Sequence, residues 1–96
     1  MKKTKFFITV NESGKTRADL VSGYYDFLYG LPLGVHKVGD YWTLSELSTG
    51  LKIASARTRK EAFEKAGPLA DLVKETIKRN YHKDIKRMID DAYAAL

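Results

Sequence analysis

Hydrophobic and polar positions along the chain predict a sheet first and helices after it. Lys5–Val10 is β-branched and aromatic enough to read as a strand, and Asn11-Glu12-Ser13-Gly14-Lys15 follows as a turn. Leu33–Val38 predicts a second strand, closed by a tight turn at Gly39-Asp40. Tyr41–Leu47 then alternates, with Trp42, Leu44 and Glu46 on one side and Thr43, Ser45 and Leu47 on the other. Ser48-Thr49-Gly50 is a three-residue hairpin connection in which glycine takes positive φ. Leu51–Ala56 returns, with Leu51, Ile53 and Ser55 sharing a face. These three strands form a meander, and Lys5–Val10 supplies a fourth.

Helical spacing appears in three places. Thr16-Arg17-Ala18-Asp19 has the Thr-x-x-acid spacing of a helix start, and Leu20, Tyr24, Phe27, Leu28 and Leu31 recur at three- and four-residue intervals. With Gly30 as its C-cap and Pro32 beyond, the segment 17–30 reads as a helix, although Gly23 and its tyrosines also suit a strand. Thr58-Arg59-Lys60-Glu61 is a capping box, in which Thr58 accepts from the Glu61 amide and Glu61 reaches back to the Thr58 amide. Ala62, Phe63 and Ala66 face inward, and Gly67-Pro68 ends or kinks that helix.

From Pro68 to Leu96 the chain favours helix throughout. Ile77, Tyr81, Ile85, Met88, Ala92 and Leu96 advance by three or four residues and share a face, while Leu69, Leu72 and Val73 fall on another. As one straight helix the segment would run roughly 40 Å. A chain of this size has a radius of gyration of about 13 Å. The helix therefore either breaks near Lys78–Lys83 or projects onto a partner, and in the second case Ile77, Tyr81, Ile85, Met88, Ala92 and Leu96 form a protein interface, in a homodimer or with another protein. The fold expected is α+β: a small antiparallel sheet of three to four strands packed against helices, with a long amphipathic C-terminal helix, continuous or broken in two. Without repeats or linkers, residues 1–96 read as one domain.

Composition then removes whole classes of function. No cysteine is present, which excludes a disulfide scaffold, a zinc ribbon and a thiol nucleophile, and fits a reducing compartment. The apolar run Phe6-Phe7-Ile8 is too short for a signal peptide or a spanning helix, so a cytoplasmic protein with no membrane partner is expected. His36 and His82 lack partners at metal-ligand spacing, and no serine sits in a nucleophile elbow. Glu12 and Glu46, the one carboxylate pair that strands bring to mind, read as solvated surface charges. Catalytic residues, metal and cofactor are accordingly all expected to be absent, and the protein is read as a non-enzyme.

Charge points the other way. Seventeen Lys and Arg against twelve Asp and Glu leave a net charge of +5, which favours an acidic or polyanionic partner. Arg57, Arg59 and Lys60 crowd the start of the capped helix, where amides also favour an anion. Lys78, Arg79, Lys83, Lys86 and Arg87 form a basic stripe opposite the apolar face of the C-terminal helix. These eight cations are the candidate contacts for nucleic acid or an acidic partner. Tyr24, Tyr25, Tyr29, Tyr41 and Trp42 are candidate base-stacking residues as well as core and rim residues, Trp42 being placed in the core.

Two resemblances sharpen the partner class. Trp42-Thr43-Leu44-Ser45, Ser48-Thr49-Gly50-Leu51-Lys52 and Thr58-Arg59-Lys60-Glu61-Ala62 together resemble the arm-type DNA-binding domain of phage integrases. That likeness implies a three-stranded sheet laid in the major groove with Lys52 and Arg59 as contacts, although Ala54, Ser55 and Ala56 stand where that family tends to carry basic residues. The chain as a whole is similar in style to small accessory proteins of phages and mobile elements, some of which inhibit host restriction or CRISPR nucleases by docking on them. The resemblance implies a non-enzymatic inhibitor acting on a nucleic-acid-handling protein or on its nucleic acid.

Overall fold

Five hairpin-connected strands in the order β1-β2-β3-β4-β5 build an entirely antiparallel sheet in the computed structural model, which describes residues 1–96. They are β1 (Lys2–Glu12), β2 (Lys15–Leu28), β3 (Leu31–Val38), β4 (Tyr41–Glu46) and β5 (Leu51–Ala56). Helix α1 (Arg59–Glu64), a 3₁₀ turn (Gly67–Leu69), α2 (Ala70–Lys78) and α3 (Lys83–Ala94) follow. The expected meander and the fourth strand are present. The fifth strand is β2, where helical spacing suggested a helix over 17–30.

The physical reason lies in the turns and the glycine. Ser13-Gly14 and Tyr29-Gly30 both adopt positive φ (52° and 78°, 56° and 75°), the pair of left-handed residues that a two-residue hairpin requires. Gly30 therefore reverses a strand rather than capping a helix. Pro32, read as a helix stop, lies within β3, and its carbonyl accepts a hydrogen bond from the Leu47 amide at 2.8 Å. Asp19 does not cap either; it pairs with Arg17 at 2.9 Å, and Arg17 also reaches Glu12 at 2.7 Å.

Register divides the sheet into two faces. Tyr24, Val35, Leu44 and Ala54 lie side by side across four strands, as do Lys37, Trp42 and Ala56 across three. This face carries the main core, where Leu31, Leu33, Val35, Leu44 and Ala56 meet Ala62, Phe63 and Ala66 of the α1 segment and Ala70 of α2. A bulge at Leu44/Ser45 skips Ile53, so Leu51 aligns with Ala54 and Ala56 rather than with Ile53 and Ser55 as strict alternation predicts. Ile53 nevertheless packs half-buried against the core.

The second face closes on itself. Phe6, Gly23, Gly34, His36 and Ser45 occupy it, and Phe6, Ser45 and His36 are buried although no helix is built from their side of the pleat. Phe6 lies so close over the two glycines that a Cβ on Gly34 would come within 2.7 Å of its ring. Small residues beneath one large ring let the sheet curl toward a barrel. The Thr9 amide then reaches the Gly50 carbonyl at 2.9 Å and the Thr9 hydroxyl the Thr49 carbonyl at 2.7 Å, joining β1 to the β4–β5 connection.

The C-terminal segment is two helices, broken within the stretch that its two apolar faces marked. Asn80 takes φ 61°, its amide bonds the Ile77 carbonyl at 3.0 Å and the Tyr81 amide bonds the Thr76 carbonyl at 3.3 Å. This is a Schellman stop with asparagine in the left-handed position. α3 then folds back onto β1 and β2. Ile89 is fully buried, Tyr93 meets Phe7 edge-on at 4.9 Å, and the Tyr93 hydroxyl accepts from the Phe7 amide at 3.0 Å. The molecule measures 29 × 27 × 26 Å, so no helix projects.

Candidate functional site

The hairpin end of the sheet nearest α1 gathers cations onto aromatic rings. Trp42 pairs with Ala56 across β4 and β5, so Arg57, the next residue out, stands beside Tyr41. Its guanidinium lies 5.1 Å from the Tyr41 ring centre and 3.4 Å from the hydroxyl. Thr58 then caps α1 and turns the chain back over the core, which brings Arg59 onto the opposite side of the sheet. There its guanidinium sits 4.0 Å over Tyr24 and 5.5 Å from Trp42, whose rings meet each other at 6.0 Å. Lys37, the register partner of Trp42, places its ammonium 6.0 Å from the indole.

Each of these contacts contributes about 0.5–2 kcal/mol and fixes the cation without neutralising it. Neither Arg57, Arg59, Lys60 nor Lys37 forms an ion pair, since the five ion pairs of the molecule lie elsewhere. The nearest helix carboxylate, Glu61, is occupied: it accepts the Thr58 hydroxyl at 3.1 Å, while Thr58 in turn accepts the Glu61 amide at 3.1 Å. The Thr58 hydroxyl accepts the Glu61 amide as the sequence predicts, while the Glu61 carboxylate returns to that hydroxyl and not to the Thr58 amide. Arg59 is half-buried with its donors facing no protein acceptor. A guanidinium held flat in this way is prepared to fork onto two oxygens of an anion such as phosphate.

The second group of candidate cations is differently placed. The Asn80 turn separates Lys78 and Arg79, at the end of α2, from Lys83, Lys86 and Arg87 on α3. They do not form one helical stripe. Arg79 is paired with Glu75 at 2.6 Å, which holds its guanidinium above its ordinary pKa, and Lys86 faces Asp90 at 3.6 Å. Lys78, Lys83 and Arg87 remain without ion pairs.

The proposed apolar interface residues also divide. Ile77, Ile85, Met88 and Ala92 are half-buried against the protein's own body, while Tyr81 and Leu96 are exposed (64 % and 78 %). Ile89, absent from that set, is the most buried residue of α3. A cleft of about 290 Å³ lies between β5 and α2, lined by Leu51, Ile53, Leu69, Leu72 and Val73, with Leu72 65 % exposed.

Groups able to do acid–base work do not converge. No three His, Asp or Glu side chains are placed to hold a metal ion. Glu46 is far from the solvated charge expected of it: it is 2 % exposed and bound by the Leu47–Gly50 connection. His36 is buried on the inner face beside Phe6, its Nδ1 without a partner, and burial pushes its pKa down. His82 stands at the start of α3. Because the unfolded chain protonates His36 more readily than the fold does, stability is full above its ordinary value of about 6.5 and falls as pH drops below it. Urea midpoints should decline on acidification through that range, and His36→Gln should decline less; parallel curves would show that His36 is not desolvated.

Comparison with known proteins gives no match: no family model, no curated protein and no solved structure fits the chain. No helix is long and apolar enough to cross a membrane.

The aromatic and cationic members of the cluster are all visible in sequence, but separately. Lys37 escapes a reading by charge runs because it is a lone cation in an apolar strand. Its signal is positional: once the Gly39-Asp40 turn fixes the register, Lys37 must stand opposite Trp42.

Proposed function

We propose that this chain is a non-enzymatic binding protein that contacts nucleic acid through the hairpin end carrying Arg57, Arg59, Lys60 and Lys37. One observation supports this reading above the others: Arg59 is half-buried on Tyr24 and Trp42, yet has neither a carboxylate nor any other acceptor. Its stem and one face of the guanidinium rest on the rings while its nitrogens stay open to water, so a phosphate can take up donors that no protein group uses. Lys83 follows His82, which lines the cleft with Glu46 and Thr49 at the opposite end of β4 and β5, so the cations around the Asn80 turn are not part of this surface.

A phosphate contact releases counterions, so affinity should fall steeply with salt, with a log–log slope of about −0.7 to −0.9 per phosphate neutralised. Titration of mixed-sequence DNA and RNA at two salt concentrations measures this. Arg57→Ala and Arg59→Ala should each flatten the dependence by about one contact. Arg59→Lys should behave nearly as badly as Arg59→Ala, because an ammonium keeps the charge but not the stacked, forked geometry. Unchanged binding in Arg59→Ala would remove this site.

The arm-type mode of the integrases is less favoured here. It needs an open sheet face, whereas α1 and α2 cover one face of β3-β4-β5 and the other closes toward Phe6. A second reading, docking on a nucleic-acid-handling protein as a phage-type inhibitor, is favoured by the exposed Leu72, Tyr81 and Leu96. Failure of the protein to bind DNA or RNA even at low salt would leave that reading standing. Homodimerisation has lost its main motive, since the broken helix packs within its own chain.

A further inference from the structure

We infer that the ligand of this surface is single-stranded rather than duplex nucleic acid, with Tyr41 as a stacking platform for an unpaired base. The inference rests on the nucleic-acid reading above and goes beyond it by naming the form of the strand. Three features carry it.

The first is that exposed aromatic surface adjoins the unpaired cations. Tyr41 is 46 % exposed and its cross-strand neighbour Val38 is 55 % exposed, at the tip of the β3–β4 hairpin. A duplex hides the faces of its bases and presents phosphates and base edges; a lone strand presents both faces and phosphates together. The Val38–Tyr41 edge would gain nothing from a duplex backbone, but a base laid on it is taken out of water.

The second is the orientation of the two arginines. Arg57 lies on the Tyr41 side of β4 and Arg59 on the Trp42 side, so the cations flank the tip rather than lining one flat face. A flexible strand can pass over such a ridge, with phosphates on either side of a stacked base. A stiff duplex meets it at one backbone.

The third is that α1, the helix beside these cations, is not free to enter the major groove. That groove, about 12 Å wide, admits a free helix or a two-stranded ribbon. Here α1 has six residues and packs Ala62 and Phe63 into the core. Asp40, in the turn beside Tyr41, opposes a phosphate, so the expected affinity is modest, in the range of about 10⁻⁴–10⁻⁶ M typical of non-specific contacts.

The test is fluorescence anisotropy of the full chain with one mixed-sequence DNA oligonucleotide, single-stranded and annealed, at the same low salt. The single strand should bind about tenfold more tightly. Tyr41→Ala should lose about fivefold or more on the single strand and clearly less on the duplex, where it costs only the support that the ring gives Arg57, whereas Tyr41→Phe should retain the preference. Thermal melting of Tyr41→Ala distinguishes a lost platform from a lost fold, and Tyr41→Phe, which keeps the ring, is the control that should still prefer the single strand. Equal, salt-sensitive affinity for the two forms would overturn the single-strand inference and keep the phosphate site. Binding to neither would overturn both.

Discussion

Replacing Gly23 by alanine is expected to cost about 3 kcal/mol or more, a large part of the roughly 5–15 kcal/mol that holds a domain of this size together. A Cβ at this position would stand 2.0 Å from the Val35 carbonyl oxygen and 3.1 Å from the Phe6 ring. The obstacle is backbone of the central strand, and Val35 is itself completely buried, so no side chain can swing aside. Strands β2 and β3 must separate or the curl must open. At Gly34 the obstacle is the end of the Phe6 ring at 2.7 Å, and alanine should cost less, about 2 kcal/mol. Gly14, in an open turn at φ 78°, should lose only about 1 kcal/mol on substitution. Urea denaturation of the three variants gives the order directly. The sign at Gly23 also discriminates between folds: were 17–30 helical, alanine would stabilise it by about 1 kcal/mol. A stabilised Gly23→Ala would therefore refute β2 itself.

That position also shows why part of the architecture is hard to read from the chain. The β3–β4–β5 meander is legible because its turns are chemically explicit and because α1 covers a single face, leaving a period of two. β2 lacks that period. Tyr24 and Asp26 lie toward the helices while Gly23 and Tyr25 lie toward the inside of the curl, so both faces carry aromatic or small residues. Leu20, Tyr24, Phe27 and Leu28 then fall at helical intervals by coincidence. The same limit applies to the binding surface. Arg57 and Arg59 are conspicuous as charges, and Tyr24, Tyr41 and Trp42 as aromatics, but they belong to three different parts of the chain. Only strand register brings them together. In the C-terminal segment the opposite holds: two incompatible apolar faces announce a break, and Asn80 is the residue best able to make it. Local sequence leaves a break near Lys78–Lys83 or a projecting helix, and the turn at Asn80 decides for the break.

Glu46→Gln is expected to destabilise the fold by about 2–4 kcal/mol, although it changes one atom and no volume. The Glu46 carboxylate accepts four hydrogen bonds: the Ser48 hydroxyl at 2.8 Å, the Thr49 amide at 3.0 Å and the Thr49 hydroxyl at 2.8 Å on Oε1, and the Ser48 amide at 2.7 Å on Oε2. All four partners are donors, so an acceptor-only group suits the site, and the charge is balanced by donors rather than by a cation. An amide must turn its NH₂ toward a donor whichever way it is placed. At least one buried N–H loses its acceptor, and hydrogen bonds to a charged group contribute about 1.5–3 kcal/mol each. The loss spreads because this connection also ties β1 to the far side of the curled sheet. Thr49 and Gly50, held by Glu46, offer the carbonyls that Thr9 of β1 binds at 2.7 and 2.9 Å. Loosening the connection should thus free the edge of β1. Hydrogen exchange separates this from a uniform loss of stability: the Ser48, Thr49 and Thr9 amides should lose protection more than those of the β3–β4 ladder. Glu46→Leu, which fills similar space and satisfies none of the four donors, should be worse than Glu46→Gln. If both variants unfold at the wild-type urea midpoint, the four hydrogen bonds are not holding this turn.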